Sequence, residues 1–157
     1  MMRFGIIAKD FSDPEALASA YLSKYFANQK IEYPINPFRM LKDEGVLFSL
    51  MDFKKLEGVY VPAENSEDIP VVGINVNRPI TRQRFTHELC HHFRDADNQI
   101  SCPMYGKKNA IEKYADSFAA ALLMPMQELR HQVNKKKNSR GNVSFDDVLE
   151  IADFFGV

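Results

Sequence analysis

The stretch RFTHELCHHF, residues 84–93, places three of the chain's four histidines within six residues, with Glu88 among them. Residues four apart on an α-helix stand one above the other on the same face. His87 and His91 have that spacing, so their imidazoles can reach one ion from adjacent turns. Glu88 lies about 100° further round, off the ligand direction but within reach of a water on that ion. The arrangement is H-E-x-x-H, two zinc ligands and a general base. Phe85, Leu89, Cys90, Phe93 and Ala96 fall on the opposite arc. The helix is therefore predicted to bury an apolar back and present a chemical front. His92 sits at the edge of the apolar arc and reads as a packing or hydrogen-bonding histidine.

A catalytic zinc takes three protein ligands and keeps a further position for water. The stretch NAIEKYADSFAAALLMP, residues 109–125, supplies the third candidate. Glu112, Asp116, Ala119 and Leu123 line one stripe of a predicted helix. The small alanines at 115, 119 and 120 let two helices approach closely, which would bring Glu112 to the ion held by His87 and His91. Asp116, one turn along, is placed to accept the remaining N–H of a ligand histidine and so fix its ring. The last histidine, His131, is a weaker candidate for contact with a substrate oxyanion.

Outward from this pair, the chain reads as α+β. The segments at 46–51, 58–62 and 69–77 are β-branched and aromatic runs split by turn residues, and they predict a small, largely antiparallel three-stranded sheet. Helices are expected over SDPEALASAYLSKYFANQ, capped by Ser12 or Asp13, and over NPFRMLKDEG, capped by Asn36 and stopped at Gly45. Further helices are expected at about 81–95, 109–124, 125–133 and 144–155, with irregular chain at 97–107 and 134–142. Strands first and helices after is the α+β order.

Composition bounds the function. The chain has 157 residues, 45% hydrophobic and 26% charged, with net charge −1. That is the mix of a globular protein, and it offers no global attraction for nucleic acid or an anionic membrane. No run of about 18 apolar residues predicts a membrane span. The apolar start of MMRFGIIAKDF ends at Lys9 and Asp10, too soon for a secretory leader. Two cysteines make no disulfide framework, and both read as reduced thiols in a cytoplasmic protein. The basic run NKKKNSR, 134–140, reads as a solvated loop.

HELCHH followed by EKYADSFAAALLMP resembles the ImmA/IrrE family of zinc metallopeptidases. YPINPFRMLKDEGVLFSL and INVNRPITRQRFT resemble that family's lead-in to its active-site helix, and the resemblance covers most of residues 14–155. Cys90 stands where family members often carry glycine, and the lead-in RQRFTHE is two residues shorter than usual. The resemblance implies a gluzincin-like fold with one zinc ion, His87, His91 and Glu112 as ligands and Glu88 as the base. It further implies a cytoplasmic endopeptidase that cuts a DNA-binding repressor in a stress or mobile-element response. The domain expectation is one unit, 1–157, with a peptidase core at 14–133 and a C-terminal helix at 144–157. That helix also resembles the opening of a helix-turn-helix, but the sequence stops at Val157, where a recognition helix would follow.

In the expected mechanism zinc acidifies a water, Glu88 takes its proton and later passes it to the leaving amine. The strand VVGINVN is expected to bind substrate backbone as an added edge strand, with Asn75 and Val76 as contacts. Two rivals remain open. One is a regulator or antitoxin-type protein that binds a repressor or toxin on the same scaffold without cutting, its metal closed off by Cys90 or Cys102. The other is a DNA-binding protein built on the last helix and the lysine run. Two histidines and one carboxylate also suit iron or manganese. Cys90 as a redox switch is a further, weak candidate.

Overall fold

The computed structural model describes residues 8–27, 29–96 and 109–157. The expected irregular segment at 97–107, with Cys102, lies outside the described residues. Helix α1 spans Pro14–Phe26, and Asp13 caps it by accepting the N–H groups of Glu15 and Ala16. Helix α2 spans Pro37–Asp43 behind an Asn36 cap, and Gly45 ends the turn with φ +76°, a conformation that suits glycine. Strands β1 (Leu47–Met51), β2 (Gly58–Val61) and β3 (Val71–Asn75) follow. Helix α3 is Arg82–Arg94 and α4 is Ala110–Leu123. Helices α5 (Met126–Lys136) and α6 (Phe145–Phe155) close the described chain.

The sheet is mixed, with order β1-β3-β2. β2 pairs antiparallel to β3, Val59 opposite Gly73, but β1 runs parallel to β3, Leu47 opposite Val71. The largely antiparallel expectation therefore holds for one of the two pairings. The parallel one arises because β3 inserts between the two strands that precede it. One consequence corrects the sequence reading. β3 is the middle strand, both its edges are taken, and VVGINVN cannot receive an added strand.

Two helix boundaries also shift. α5 runs on to Lys136, into the stretch expected to be irregular, and there Lys136 pairs with Glu150 and Asp147 of α6. Irregular chain begins at Lys137. Ala96, expected on the buried arc, lies beyond the end of α3 and is exposed.

The core is what holds the site helix in place. Phe85, Leu89, Cys90 and Phe93, on the back of α3, are all 2% exposed or less. They pack with Tyr21 of α1, Phe38 and Phe118, the ring centroids of Phe85 and Phe38 lying 4.3 Å apart. Each such side chain contributes roughly 1.5–3 kcal/mol through burial. On α4, Ala115 and Ala119 are buried at 1% and 0%, and as small residues they let α4 approach α3 closely. Two helices are thus fixed face to face, each turning its polar stripe to the other.

Candidate metal centre

His87 and His91 project from successive turns of α3, with their Nε2 atoms 3.1 Å apart. Glu112 enters from the first turn of α4, which Asn109 caps by accepting the N–H of Glu112. Its Oε2 lies 3.0 Å from His87 Nε2 and its Oε1 3.5 Å from His91 Nε2. All three side chains are buried, at 8%, 0% and 4% exposure. Each offers one ligand atom, and the three atoms lie within 4.8 Å of one another. The sequence expectation that α4 would carry Glu112 to the histidine pair is met in the geometry.

Each imidazole is held from behind by a carboxylate. Asp116 Oδ1 lies 2.8 Å from His87 Nδ1, and Asp95 Oδ2 lies 2.7 Å from His91 Nδ1. A carboxylate at Nδ1 favours the tautomer with the proton there. The Nε2 lone pairs are then left aimed at each other and at the Glu112 carboxylate. Three acceptors at this range in a buried site repel unless a cation stands between them. The donor set therefore fits a divalent metal, which binds neutral imidazole and ionised carboxylate.

Without metal, protons take that role. Burial alone would lower the His91 pKa, but the hydrogen bonds its ring donates to Asp95 and Glu112 outweigh it and carry it up to about 10. His87 is raised as well, its Glu112 hydrogen bond outweighing burial. Burial disfavours the Glu112 anion too, yet its hydrogen bonds to His87 and His91 hold the carboxyl well below the usual range.

Glu88 behaves differently. It is 2% exposed, and its Oε2 has no hydrogen-bond partner among the described residues. Burial pushes its pKa up to about 7, the neighbouring imidazoles opposing. That value belongs to the metal-free protein; beside a bound divalent cation the carboxylate form is favoured, as a proton acceptor requires. Glu88 lines a cleft of about 330 Å³ with Glu57, Gly58, Gln83, Arg84, His87 and Asp116. A larger groove of about 720 Å³ lies elsewhere, between α1 and α4, and contains none of these residues.

The cleft wall opposite α3 is the start of β2. A Cβ on Gly58 would stand 2.5 Å from Glu88 Oε1 and 3.2 Å from Gly73 O, so a larger residue there would push the buried Glu88 carboxyl aside. Arg84 ties that wall to the helix. Its guanidinium donates to the carbonyls of Asn75 and Pro79, at 3.2 and 2.9 Å, and to that of Glu57. Gly58→Ala is expected to destabilise the fold by about 1–3 kcal/mol through overpacking, read as a lower denaturant midpoint.

The remaining expectations fare unevenly. Asn75 is buried and committed to the framework: its amide donates to Phe53 O and Leu56 O, both at 2.7 Å, and its Oδ1 accepts from Asn77. Val76 is 45% exposed and donates its N–H to Met51 O. His131 is exposed on α5, and none of the three lines the cleft. His92 meets the Tyr60 hydroxyl at 2.9 Å, the hydrogen-bonding role expected of it. Cys90 faces the core at 1% exposure, and burial pushes its thiol up, which leaves little thiolate for redox chemistry. Asp95, Gly58 and Arg84 were not foreseen. Asp95 had a signal, since it follows His91 by the same four residues that separate the two imidazoles. Asp95→Ala is expected to weaken metal binding by about 10–100-fold, measured by competition with a chromophoric chelator.

An α+β fold in which a helix carrying H-E-x-x-H meets a glutamate from a second helix has the build of a metal-dependent hydrolase. The family model described as the IrrE N-terminal-like domain, Peptidase_M78, matches residues 41–157, and the chain belongs to that family. No curated protein matches the chain significantly. Family membership supports a metallopeptidase-type activity, and the His87, His91 and Glu112 group could hold its metal. No helix among the described residues is long and apolar enough to cross a membrane.

Proposed function

We propose that the protein is a zinc-dependent endopeptidase that hydrolyses a peptide bond in a cytoplasmic regulatory protein, a DNA-binding repressor being the expected substrate. The observation that carries this reading is the convergence of His87 Nε2, His91 Nε2 and a Glu112 oxygen beside a buried Glu88 that has an unpartnered oxygen. When bound, the metal supplies Lewis acidity, polarising the scissile carbonyl and acidifying the attacking water. Glu88 takes the proton of that water on a carboxylate oxygen and returns it to the departing amine. Asp116 and Asp95 keep the two imidazoles turned toward the centre. Arg84 keeps the β2 wall against α3.

The substrate backbone has a natural place along β2, the edge strand beside the cleft. Glu57 O accepts from Asn75 N at 3.0 Å, so Glu57 turns toward β3. By antiparallel alternation, Gly58 and Tyr60 then turn their N–H and C=O groups to the free edge. An added strand there would cross Glu88. A purely binding role with the metal closed off by Cys90 finds no support, because that thiol lies on the core side of α3.

The test is incubation of the purified protein, reconstituted with zinc, with the repressor encoded beside its gene. One discrete cut, abolished by a chelator and restored by zinc, is expected. An intact repressor under zinc-replete conditions, with no other cytoplasmic protein cut either, would overturn the proposal.

A further inference from the structure

Helix α6 carries two apolar arcs, and only one is packed. Ile151 and Phe155 are 7% and 0% exposed, and the rings of Phe154 and Phe155 lie 5.2 and 5.3 Å from Tyr33. The second arc is Phe145, Val148 and Leu149, at 75%, 48% and 52% exposure, with Ala152 completing the i, i+3, i+4, i+7 pattern. At 100° per residue these four span roughly 100° of the helix. Asp153, Asp146 and Glu150 follow directly on the flank opposite the packed Ile151 and Phe155. Glu150 pairs with Lys136, while Asp146 and Asp153 make no ion pair among the described residues.

We propose that this stripe docks an amphipathic helix of a partner protein whose apolar ridge is flanked by lysine or arginine. The pattern of four positions over two turns is what the ridge of a facing helix fills. The charge selects among occupants. Residues 145–155 contain no basic side chain, whereas helices that lie on membranes carry lysine and arginine on their polar face. An anionic bilayer is therefore disfavoured. A second copy, paired antiparallel about a twofold axis, would set the two acid ridges on the same side of the contact, where they repel. A basic helix instead gives Asp146 and Asp153 their partners. The surface lies on a different element from the metal centre and depends on no reading of its chemistry.

The probe is a synthetic 18-residue helix with leucine on one face and lysine on the other, beside a counterpart with glutamate for lysine. Binding to the full chain is followed by fluorescence anisotropy at about 0.15 M salt, where exposed charges further apart than about 8 Å are screened. The lysine peptide is expected to bind at least about tenfold tighter than the glutamate peptide, with or without metal. Leu149→Asp should weaken it by at least about tenfold, and the pair Asp146→Lys with Asp153→Lys should reverse the preference. Circular dichroism verifies that these surface variants stay folded. Equal binding of both peptides, no binding, or binding that ignores Leu149→Asp overturns the proposal. So does a wild-type dimer that Leu149→Asp converts to monomer, because a second copy would then be the occupant. Since the binding should survive chelation, its loss and the loss of peptidase activity are separate results.

Discussion

Glu88→Gln is expected to leave the metal bound and to remove the proposed peptidase activity. The amide keeps the size of the carboxyl but cannot take a proton, so kcat should fall by about 10²–10⁴-fold, the usual scale of acid–base catalysis. His87, His91 and Glu112 are untouched, so metal content should stay unchanged. Activity retained in this variant would remove Glu88 from the role of base. The same substitution has a second signature. Burial raises the Glu88 pKa to about 7 in the folded state, above the ordinary carboxyl value near 4.3. A raised carboxyl favours the fold at low pH, and that contribution is lost as pH climbs toward the folded value. In the metal-free protein, the ionised Glu88 therefore costs stability at pH 8. Glu88→Gln should be more stable than wild type there by up to about 3 kcal/mol, the difference vanishing near pH 4. A stability gain independent of pH would contradict the buried, high-pKa carboxyl.

The second large effect is on the metal itself. Glu112→Ala removes the carboxylate that faces the Nε2 atoms of both imidazoles, and metal affinity should fall by more than the roughly 10–100-fold expected when an outer carboxylate is lost. In the wild type, metal must displace protons from the cluster. Because His91 holds its proton up to about pH 10, apparent affinity should rise about tenfold per pH unit for each proton released as pH increases below that value. Chelation should lower stability in parallel. Metal at about 100 times its dissociation constant contributes roughly 2.7 kcal/mol. For a domain of this length that is on the order of 5–10 °C in melting temperature. Titration calorimetry in buffers of different ionisation enthalpy counts the protons, and a value of zero would contradict the protonated cluster.

What could be read in the sequence follows from the range of each contact. His87, Glu88 and His91 were legible because one helical turn joins them. Glu112 and Asp116 were legible because they share a stripe with alanines small enough for close helix packing, although their partners lie 25 and 29 residues away. Asp95 obeys the same four-residue rule, but it is the C-cap of α3, and an acidic residue at the end of an expected helix carries no local mark of its tie to His91. Gly58 was not legible at all. Its role depends on β2 lying against α3, and strand order is not written in local periodicity. The middle position of β3 escaped for the same reason, and with it the true commitment of Asn75 to the loops that carry Phe53 and Leu56. Lys136 looked like part of a loose basic run because its acidic partners lie on the next helix.

The most direct test of the metal centre is X-ray absorption at the zinc edge on protein reconstituted with one equivalent of zinc. Two imidazole nitrogens with oxygen ligands at about 2.0–2.2 Å, and no sulfur, are predicted. A sulfur shell near 2.3 Å, or a spectrum without imidazole scattering, would contradict a site built from His87, His91 and Glu112.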